Sequence, residues 1–422
     1  MNFARLNHIL IPTTKKERDR VRQSKSGRLL MRMFSWLLHF SDEGRWTVLL
    51  WMVSGAVSLN VGTTQFFYLF SGLTALLISS LVLARGYRLN QVILQVDSPR
   101  RIAVGEPVTF GLSLVNGSDE TYRALRIHLP FLPWDGKWIK RPEGVTSLRG
   151  HRTARRDATA VFSTRGAHHL DMFHATMLLP LGLSNGPAIH SRGVRFLVVP
   201  RIARIEHLSL PLTSRYQPGG VALASATGES RELVGIRTYR PGDPIRDLHA
   251  PSWARLGEPV VREYRQEYFT RIGIVVDTDE TVSSEREFEA ALSLAAGLVS
   301  HLSRGEALID LVVFGDEVHK LVLGRHLGFL DQALDLLACA KKTAPWSLTR
   351  LQRGTAAHLG QLSAVLFVTT TWDVKRQGFG HFVTASGVGF RAFRVSEDSA
   401  SDGKGAVTSI AASKILAGKA VL

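Results

Sequence analysis

The chain has 422 residues, enough for two or three domains that each bury a core of their own. Its single cysteine, Cys339, excludes an intrachain disulfide and any zinc site built from cysteines, and its amphipathic surroundings predict a buried side chain. The net charge is +16, of which +13 falls in residues 1–45 and 85–166, on either side of an uncharged segment. This distribution favours contact with anionic lipid headgroups. Since no nucleic-acid-binding motif accompanies the charge, we expect no nucleic-acid partner.

The uncharged segment, residues 46–84, also lacks histidine. As a single helix it would extend about 58 Å, roughly twice the thickness of a hydrocarbon core. A polar, glycine-containing break at 60–65 divides it, so we predict two membrane-spanning helices at 46–59 and 66–84, joined by a tight turn. Arginines flank the segment on both sides and none lies in the turn, which places both ends in the cytoplasm. The alternative is a buried helical hairpin of a soluble core. Residues 29–40 predict an interfacial helix.

Residues 90–200 change in character to short runs rich in β-branched side chains, separated by turn residues. The clearest runs are 92–96, 108–114, 125–129 and 194–199. Together with the turn signals they predict a small β-sandwich. His168, His169 and His174 lie close in sequence, but neighbouring residues of a strand point to opposite faces, which argues against a shared metal ion.

A distinctive pattern of arginines, glycines and acids follows. It reads Gly235-Ile236-Arg237-Thr238-Tyr239-Arg240-Pro241-Gly242-Asp243, then Arg246-Asp247-Leu248-His249, then Ala254-Arg255 and Val261-Arg262-Glu263-Tyr264. Pro at the second and Gly at the third position predict a type II turn over 240–243. The segment 229–267 holds seven arginines and seven acids, which predicts an internal ion-pair network. The alternative is that part of the network stays open to bind a phosphate, a carboxylate or a partner's acid.

This pattern resembles the signature of the domain-of-unknown-function 58 family, written loosely as G-x-R-x-Y-x-x-G-D-x-x-R-x-I-H-W-x-x-x-A-R followed by V-R-E-aromatic. The resemblance implies a bacterial inner (cytoplasmic) membrane protein that carries a von Willebrand A-like domain. The residues that match the signature are candidates for partner or anion binding: Arg237, Tyr239, Gly242, Asp243, Arg246, His249, Arg255 and Arg262.

The chain departs from that signature directly after His249. Ala250 stands where the family usually has Trp, and Trp253 follows three positions later. Pro251 predicts a break in any helix through 249–253. A catalytic relay of Ser252, His249 and Asp247 is not expected, because the three residues fall within six positions and no G-x-S-x-G elbow occurs.

From residue 271 onward, strand and helix patterns alternate. Strands are predicted at 272–276, 307–314 and 364–368, and helices at 285–303 and 327–341. Such alternation predicts a doubly wound, mostly parallel α/β sheet with helices on both faces, where sites form at the carboxyl ends of the strands. The tail, 396–422, begins polar and ends in an apolar stretch that predicts a closing helix, with disorder of the polar linker as the alternative.

Two acidic segments follow predicted strands. Asp277-Thr278-Asp279-Glu280-Thr281 resembles a degenerate form of the D-x-S-x-S metal motif of von Willebrand A-like domains, and Thr369-Thr370-Thr371-Trp372-Asp373 resembles the later element of that site. The resemblance implies Mg²⁺ held through oxygens by Asp277, Asp279, Thr281 and Asp373. The alternative is that these acids cap the helices that follow them.

These observations predict six regions. They are a basic N-terminal segment with an interfacial helix at 1–45, a transmembrane α-hairpin at 46–84, a β-sandwich at 90–200, the signature segment at 201–270, a von Willebrand A-like α/β domain at 271–395 and a C-terminal tail at 396–422.

The functional expectation rests on the same resemblance. Family members commonly occur beside MoxR-type AAA+ ATPases, so the resemblance implies a membrane-anchored, cytoplasm-facing adaptor or assembly factor that acts with such an ATPase. The chain has no P-loop and no convincing set of nucleophile, base and oxyanion donors, so we expect no enzyme activity of its own. The alternatives are a hydrolase that holds an anionic substrate with the arginine cluster, and a structural scaffold with a vestigial metal site.

Overall fold

The structure is a computed structural model. It describes residues 20, 40–58, 64–179, 182–211, 233–243, 245–264, 270–279, 284–305, 307–314, 318–323, 328–342, 347–397 and 407–419. Contacts divide the chain into two units: residues 1–201 with 337–340, and residues 202–336 with 341–422. The interfacial helix predicted at 29–40 lies outside the described residues, apart from Phe40.

The described part of the first unit includes two helices, α1 (Asp42–Ser58) and α2 (Thr64–Gly86). They pack side by side: the rings of Trp51 and Phe70 stack with centroids 5.5 Å apart, and Trp51 Nε1 donates to Thr74 Oγ1 at 2.8 Å. In the described part of the chain one stretch, Gln65–Ala84 of α2, is long and apolar enough to cross a membrane. Since α1 is a 17-residue helix that begins with charged side chains, the predicted two-span hairpin stays a prediction.

The base of this helix pair is tied to the β-sheets of the same unit by polar side chains. Ser80 Oγ and Ser184 Oγ lie 2.6 Å apart, and Asn185 Nδ2 donates to the carbonyl oxygen of Phe40 at 3.1 Å. At the surface, Arg126 forms a salt bridge with Glu43 at 3.0 Å. Hydrogen bonds therefore connect the helix pair to the β-sheets of this unit.

The β-rich part of the first unit forms sheets around one core. Three of the four runs predicted as strands lie within strands, and the fourth, 125–129, extends one residue beyond its strand. The strands are β1 (Val92–Asp97), β2 (Arg101–Ala103), β3 (Pro107–Asn116), β4 (Tyr122–His128), β5 (Gly136–Lys140), β6 (Val145–Leu148), β7 (Thr153–Phe162), β8 (Gly166–Leu170), β9 (His174–Leu179), β10 (Ser184–Asn185), β11 (Ile189–His190) and β12 (Val194–Val199). The sheet orders are β1-β3-β7-β5, β10-β9-β4-β6 with β11 on β9, and β2-β12-β8. Buried and more open positions alternate along β3, as expected for a sheet with one face on the core. That core includes Phe110, Phe162, Phe173 and Phe196.

The second unit contains an antiparallel hairpin that carries the signature residues. Its strands are β13 (Leu233–Thr238) and β14 (Val260–Tyr264), with Arg237 opposite Val261. Between them lie a short 3-10 turn, Ile245–Asp247, and the helix α3 (Ala250–Leu256). The hairpin therefore presents the signature on paired strands and on the connection between them.

The rest of the second unit is an α/β sheet. Its elements are β15 (Arg271–Val276), α4 (Glu285–Leu302), β16 (Leu308–Phe314), β17 (Val318–Leu323), α5 (Gly328–Cys339), α6 (Leu348–Leu359), β18 (Ala364–Thr369), α7 (Val374–Ala385), β19 (Gly389–Ser396), β20 (Val407–Ala411) and α8 (Ala412–Leu416). All residues of β18 are buried, so both faces of that strand are covered. Ser284 and Glu287 form a reciprocal capping box that starts α4. The predicted strands and helices of this region are confirmed to within a few residues.

The strand order is β17-β16-β15-β18-β19-β20, with β17 antiparallel to β16 and every other pairing parallel. Counted from β15, this is the order 3-2-1-4-5-6 of doubly wound sheets. The direction in which the chain adds strands reverses between β15 and β18. In such sheets the carboxyl ends of the two strands at this point border the crevice where ligands bind.

Two expectations about the C-terminal part are wrong in detail. The predicted tail contributes the sixth strand, β20, which pairs parallel to β19, so the sheet continues beyond residue 395. Cys339 is exposed and not buried, because it is the last residue of α5 and follows the buried Leu337 and Ala338.

Candidate functional site

The candidate site lies where β15 and β18 end. Asp277 and Asp279 follow β15 directly, Thr369 is the last residue of β18, and Asp373 is the N-cap of α7. The backbone N–H of Asp277 donates to the carbonyl oxygen of Val368 at 2.9 Å, which holds the two strand ends together. The sheet topology thus brings three of the four predicted metal ligands to one place. The fourth, Thr281, lies outside the described residues.

The guanidinium of Arg376, in the first turn of α7, lies among these carboxylates. Its Nε donates to Asp277 Oδ2 at 2.6 Å, its Nη2 to Asp279 Oδ2 at 3.1 Å and its Nη1 to Asp373 Oδ2 at 2.9 Å. The Nε also lies 3.2 Å from Thr369 Oγ1. Each of the three guanidinium nitrogens therefore meets a different carboxylate, which uses the full planar fork of the side chain.

The network is buried at its centre and open at one side. The side chains of Arg376 and Asp277 are each 1% exposed, whereas that of Asp373 is 46% exposed. Burial raises the pKa of Asp277, and the positive charge of Arg376 acts against that rise. Burial acts to lower the pKa of Arg376, but the charge and hydrogen bond of Asp277, the hydrogen bond of Asp279 and the charge of Asp373 together outweigh it, and the net shift of the Arg376 pKa is upward. The arginine is therefore charged at any physiological pH, and it is paired where it lies.

The positions of these oxygens do not fit a resident Mg²⁺. Magnesium needs near-octahedral oxygen ligands at about 2.0–2.1 Å, and here the carboxylates are turned toward a guanidinium that fills the space between them. In the part of the chain that the structure describes, no group of three or more His, Cys, Asp or Glu side chains is arranged to hold a metal ion. The Mg²⁺ expectation stays a prediction, and the arrangement around Arg376 does not favour it. The alternative prediction, that these acids cap the helices that follow them, is confirmed for Asp373. Its side chain accepts a hydrogen bond from the backbone N–H of Arg376 at 2.9 Å and caps α7.

Arg376 is the site residue that sequence reasoning missed. It stands three positions after Asp373, in a helix that starts with exposed and charged residues, where an arginine is ordinarily expected to face solvent. The only local signal is the acid three residues earlier, a spacing that allows a salt bridge on a helix surface. Its partners Asp277 and Asp279 lie about 100 positions upstream, beyond the reach of any local pattern.

At the signature hairpin the predicted turn is confirmed. Gly242 has φ of 106°, and the backbone N–H of Asp243 donates to the carbonyl oxygen of Arg240 at 3.0 Å, as a type II turn requires. Asp243 accepts two hydrogen bonds from the Arg237 guanidinium, at 2.7 and 2.8 Å. These bonds, and then the backbone N–H of Arg240, lower the pKa of Asp243 to about 2. The predicted ion pairing thus holds for Arg237 with Asp243.

The remaining signature residues lie on or beside this hairpin. Tyr239 is half-buried and its backbone N–H donates to the carbonyl oxygen of Pro259 at 2.8 Å. Arg246, Arg255 and Arg262 are exposed. The segment therefore combines the bidentate pair of Arg237 and Asp243 with several exposed guanidiniums.

The predicted break in a helix through 249–253 is wrong. Helix α3 begins at Ala250 and carries Pro251 in its first turn, where a missing N–H has no helical partner to lose. His249 Nδ1 and Ser252 Oγ lie 2.6 Å apart across the start of this helix. Trp253, in the middle of α3, is 43% exposed, so it does not fill a buried pocket.

Histidines form two further polar clusters, in the β-rich part of the first unit. His168 Nε2 lies 2.8 Å from Asp135 Oδ2, and both side chains are almost fully buried. His174 stacks on His128 with ring centroids 4.8 Å apart and lies 6.0 Å from His190. Burial, followed by the charges of His128 and His190, lowers the pKa of His174 to about 4. His168 and His174 thus lie in different surroundings, one paired with an acid and one beside other histidines.

Neither the comparison with protein families nor that with curated protein sequences returns a match. Parts of the chain are similar to parts of solved structures. For alpha-2-macroglobulin of E. coli the identity is 16%, the match covers 26% of this chain and 7% of that chain, and the TM-score is 0.22. For the secreted serine protease VesC of Vibrio cholerae the identity is 9%, the match covers 27% of this chain and 24% of that chain, and the TM-score is 0.19. For the SrpA adhesin of Streptococcus sanguinis the identity is 11%, the match covers 30% of this chain and 70% of that chain, and the TM-score is 0.18. The chain spans only a small part of the first two proteins. At these TM-scores the likenesses do not indicate a shared fold.

Proposed function

We propose that this chain is a membrane-anchored, cytoplasm-facing adaptor or assembly factor of the domain-of-unknown-function 58 type, which binds a MoxR-type AAA+ ATPase and has no enzyme activity of its own. The observation that carries the proposal is the exposed surface of the signature segment, where apolar and arginine side chains stand together without forming a core. The choice of an ATPase as partner comes from the family resemblance of residues 235–264.

The signature segment supports partner binding through the kind of residue that it exposes. Ile245 is 77% exposed, Trp253 43% and Leu256 57%, and Arg246 and Arg255 are exposed beside them. Trp253 and Leu256 stand three residues apart on α3 and therefore share one side of that helix. Tryptophan and arginine are enriched among the residues that contribute most to binding at protein interfaces. We refer to residues 245–256 as the signature surface.

A membrane location is supported by the helix pair of the first unit. Only 11% of the Gln65–Ala84 stretch is buried, which favours a membrane span over the core helix of a soluble domain. Large apolar side chains are exposed on both helices: Trp46, Leu49, Leu50, Met52 and Val53 on α1, and Phe66, Phe67, Tyr68, Leu69, Ile78, Val82 and Leu83 on α2. Such a surface needs an apolar environment, and the arginines that flank it favour a cytoplasmic position for both ends.

The partner proposal is tested by recovering complexes of the tagged full-length protein in mild detergent and identifying them by mass spectrometry. The test variant combines Trp253→Ala with Arg255→Ala on the signature surface. The matched control combines Ile139→Ala with Arg141→Ala, which removes one exposed apolar and one exposed arginine side chain from the first unit. We expect the ATPase to be recovered with wild type and with the control, and its yield to fall about tenfold or more with the test variant. Equal recovery in all three samples, or no ATPase in any of them, contradicts the proposal.

The membrane proposal has its own test. Full-length protein with a short tag at either end is treated with protease in inverted and in right-side-out membrane vesicles. Two spans with cytoplasmic ends predict cleavage of both tags in inverted vesicles and protection of both in right-side-out vesicles. One tag cleaved in each preparation would instead mean a single span through α2, and release of the protein by alkaline washing would mean that α2 does not cross the membrane.

A second candidate function, hydrolysis of an anionic substrate, is favoured by one contact. The 2.6 Å distance between His249 Nδ1 and Ser252 Oγ is that of a hydroxyl paired with a base, and arginines lie on the same segment. Purified full-length protein is assayed with phosphoester and peptide substrates beside Ser252→Ala. Turnover by wild type that Ser252→Ala abolishes would establish this function, and absence of turnover with intact folding would exclude it for these substrates.

A further inference from the structure

The position among the three strand-end carboxylates is already taken by a positive charge of the chain itself. We propose that the guanidinium of Arg376 is a built-in cation, which stands in place of a divalent metal ion at the ends of β15 and β18. This edge of the sheet then keeps its structure without Mg²⁺, and no chelator can remove its cation. The inference concerns the site itself and does not rest on the proposed function.

The oxygens that face Arg376 are those that a hard cation would use. They are Asp277 Oδ2, Asp279 Oδ2, Asp373 Oδ2 and Thr369 Oγ1. Carboxylate and hydroxyl oxygens are the ligands that Mg²⁺ prefers. With Arg376 present, each carboxylate receives a hydrogen bond at 2.6 to 3.1 Å, a distance suited to a nitrogen donor. The same oxygens therefore serve an arginine here.

Second contacts hold the carboxylate of Asp277 in this orientation. Thr369 Oγ1 donates to Asp277 Oδ2 at 2.8 Å, and the backbone N–H of Asp279 donates to Asp277 Oδ1 at 3.1 Å. The Arg376 side chain is 1% exposed and anchored at the start of α7 by the Asp373 cap. A Mg²⁺ ion that entered from solvent would have to displace this buried guanidinium and meet its positive charge. The built-in cation therefore excludes the metal.

One consequence distinguishes this edge from a metal-dependent binding site. Where a metal ion has an open coordination position, an acidic group of a partner can complete its coordination. A guanidinium that is fully paired inside the protein has no such position to offer. Binding at this edge, whatever the partner, should therefore be unchanged by chelators.

The test uses hydrogen exchange with mass spectrometry on the full-length protein in detergent, with Mg²⁺ in excess or with EDTA. The reporting peptides cover 270–279 and 364–385, the two strand ends and α7. Arg376→Met removes the charge and keeps much of the side-chain volume. The matched control is Arg271→Met, which breaks another buried arginine–aspartate pair of the same sheet, with Asp310 at 3.0 Å. Arg271 meets one carboxylate, that of Asp310, and the amide oxygen of Gln361, whereas Arg376 meets three carboxylates, so the control removes a guanidinium from a site with fewer anionic oxygens.

For wild type we expect identical exchange with Mg²⁺ and with EDTA. For Arg376→Met in EDTA we expect exchange of the reporting peptides to rise by about tenfold or more, and Mg²⁺ to reverse much of that rise because the freed oxygens now bind it. For Arg271→Met we expect faster exchange that Mg²⁺ does not reverse. This combination separates replacement of a metal ion from mere loss of a buried pair.

Three results would overturn the inference. The first is a saturable Mg²⁺-dependent protection of the wild-type peptides, and the second is a rise in Arg376→Met that Mg²⁺ leaves unchanged. If Arg376→Met does not fold, Arg376→Lys takes its place, since it keeps one positive charge without the fork. We expect Arg376→Lys to fold with faster exchange that is insensitive to Mg²⁺. Mg²⁺-dependent protection of that lysine variant is the third contrary result.

Discussion

Two arginine–aspartate pairs of the α/β unit have almost the same shortest contact distance and different surroundings. Arg376 meets Asp277 at 2.6 Å with both side chains 1% exposed, and Arg237 meets Asp243 at 2.7 Å with the side chains 37% and 17% exposed. In the buried pair, loss of one partner leaves a charge that water cannot reach. In the exposed pair, water and salt screen the attraction and solvate whatever remains. Contact distance alone therefore does not indicate how much a pair contributes.

Arg376→Met gives the most direct test of whether the buried pair contributes more to stability than the more exposed pair. We expect this variant to lower the free energy of unfolding of the α/β unit by about 3–5 kcal/mol, because Asp277 and Asp279 keep their burial and lose their counter-charge. The measurement is urea denaturation of the full-length protein in detergent, followed by hydrogen exchange of peptides from β15 and β18. A loss below about 1 kcal/mol would mean that the buried pair contributes no more to stability than a surface salt bridge, which would contradict the distinction between the two pairs.

His174 extends the comparison to a half-buried side chain that the fold keeps neutral and that becomes charged only in acid. Its pKa is about 4 in the folded protein against an ordinary value of 6.5, so between these values the unfolded chain binds the proton more readily. The contribution of neutral His174 to the free energy of unfolding is therefore fully present above pH 6.5 and is lost as the pH is lowered toward 4. Allowing for solvent screening, we expect a loss of about 1–2 kcal/mol from this residue. Urea denaturation of the β-rich unit through that pH range measures it.

The control for this prediction is His174→Gln, which cannot take up the proton. The variant should show a smaller loss of stability than wild type as the pH falls from 6.5 to 4. Parallel pH profiles for the two proteins would mean that other groups, such as His128 or the buried Asp135, account for the acid sensitivity.

The smallest effect is expected from Arg237→Met at the exposed pair. Without the guanidinium, the pKa of Asp243 should rise from about 2 toward its ordinary value of 3.8. A carboxyl group with a lowered pKa stabilises the fold above 3.8, and this contribution disappears as the pH falls toward 2. The difference between variant and wild type should therefore be small at neutral pH, shrink further with added salt and vanish in strong acid. A loss of stability at neutral pH as large as that of Arg376→Met would refute the distinction.

Local sequence patterns predicted the elements of this protein well where one physical rule decides them. The helix Glu285–Leu302 follows from a capping box and a helical apolar period, and the turn at 240–243 follows from the fixed φ of Pro241 and the positive φ open to Gly242. The strand ends at Asp277 and Thr369 follow from short apolar runs that stop at polar residues. Each of these features depends on neighbours within a few positions.

Features that depend on which elements meet were not accessible in that way. The polar tail hid the strand Val407–Ala411, because a sixth strand is stabilised by its pairing with β19 and carries little signal of its own. Likewise, Pro251 suggested a break in the helix. Helix α3 begins at Ala250, so Pro251 lies in its first turn, where proline is tolerated.

The sequence by itself determined the alternation of strands and helices, the position of the acidic residues after the strands and the apolar segment with its flanking arginines. Those properties are set by composition and by short-range periodicity. Only the tertiary structure decided what the acids do. The strand order places β15 beside β18, so that Asp277 and Asp279 meet the start of α7, and burial there makes Arg376 their partner. A pairing across about 100 positions depends on the free energy of the assembled sheet, which no local pattern contains.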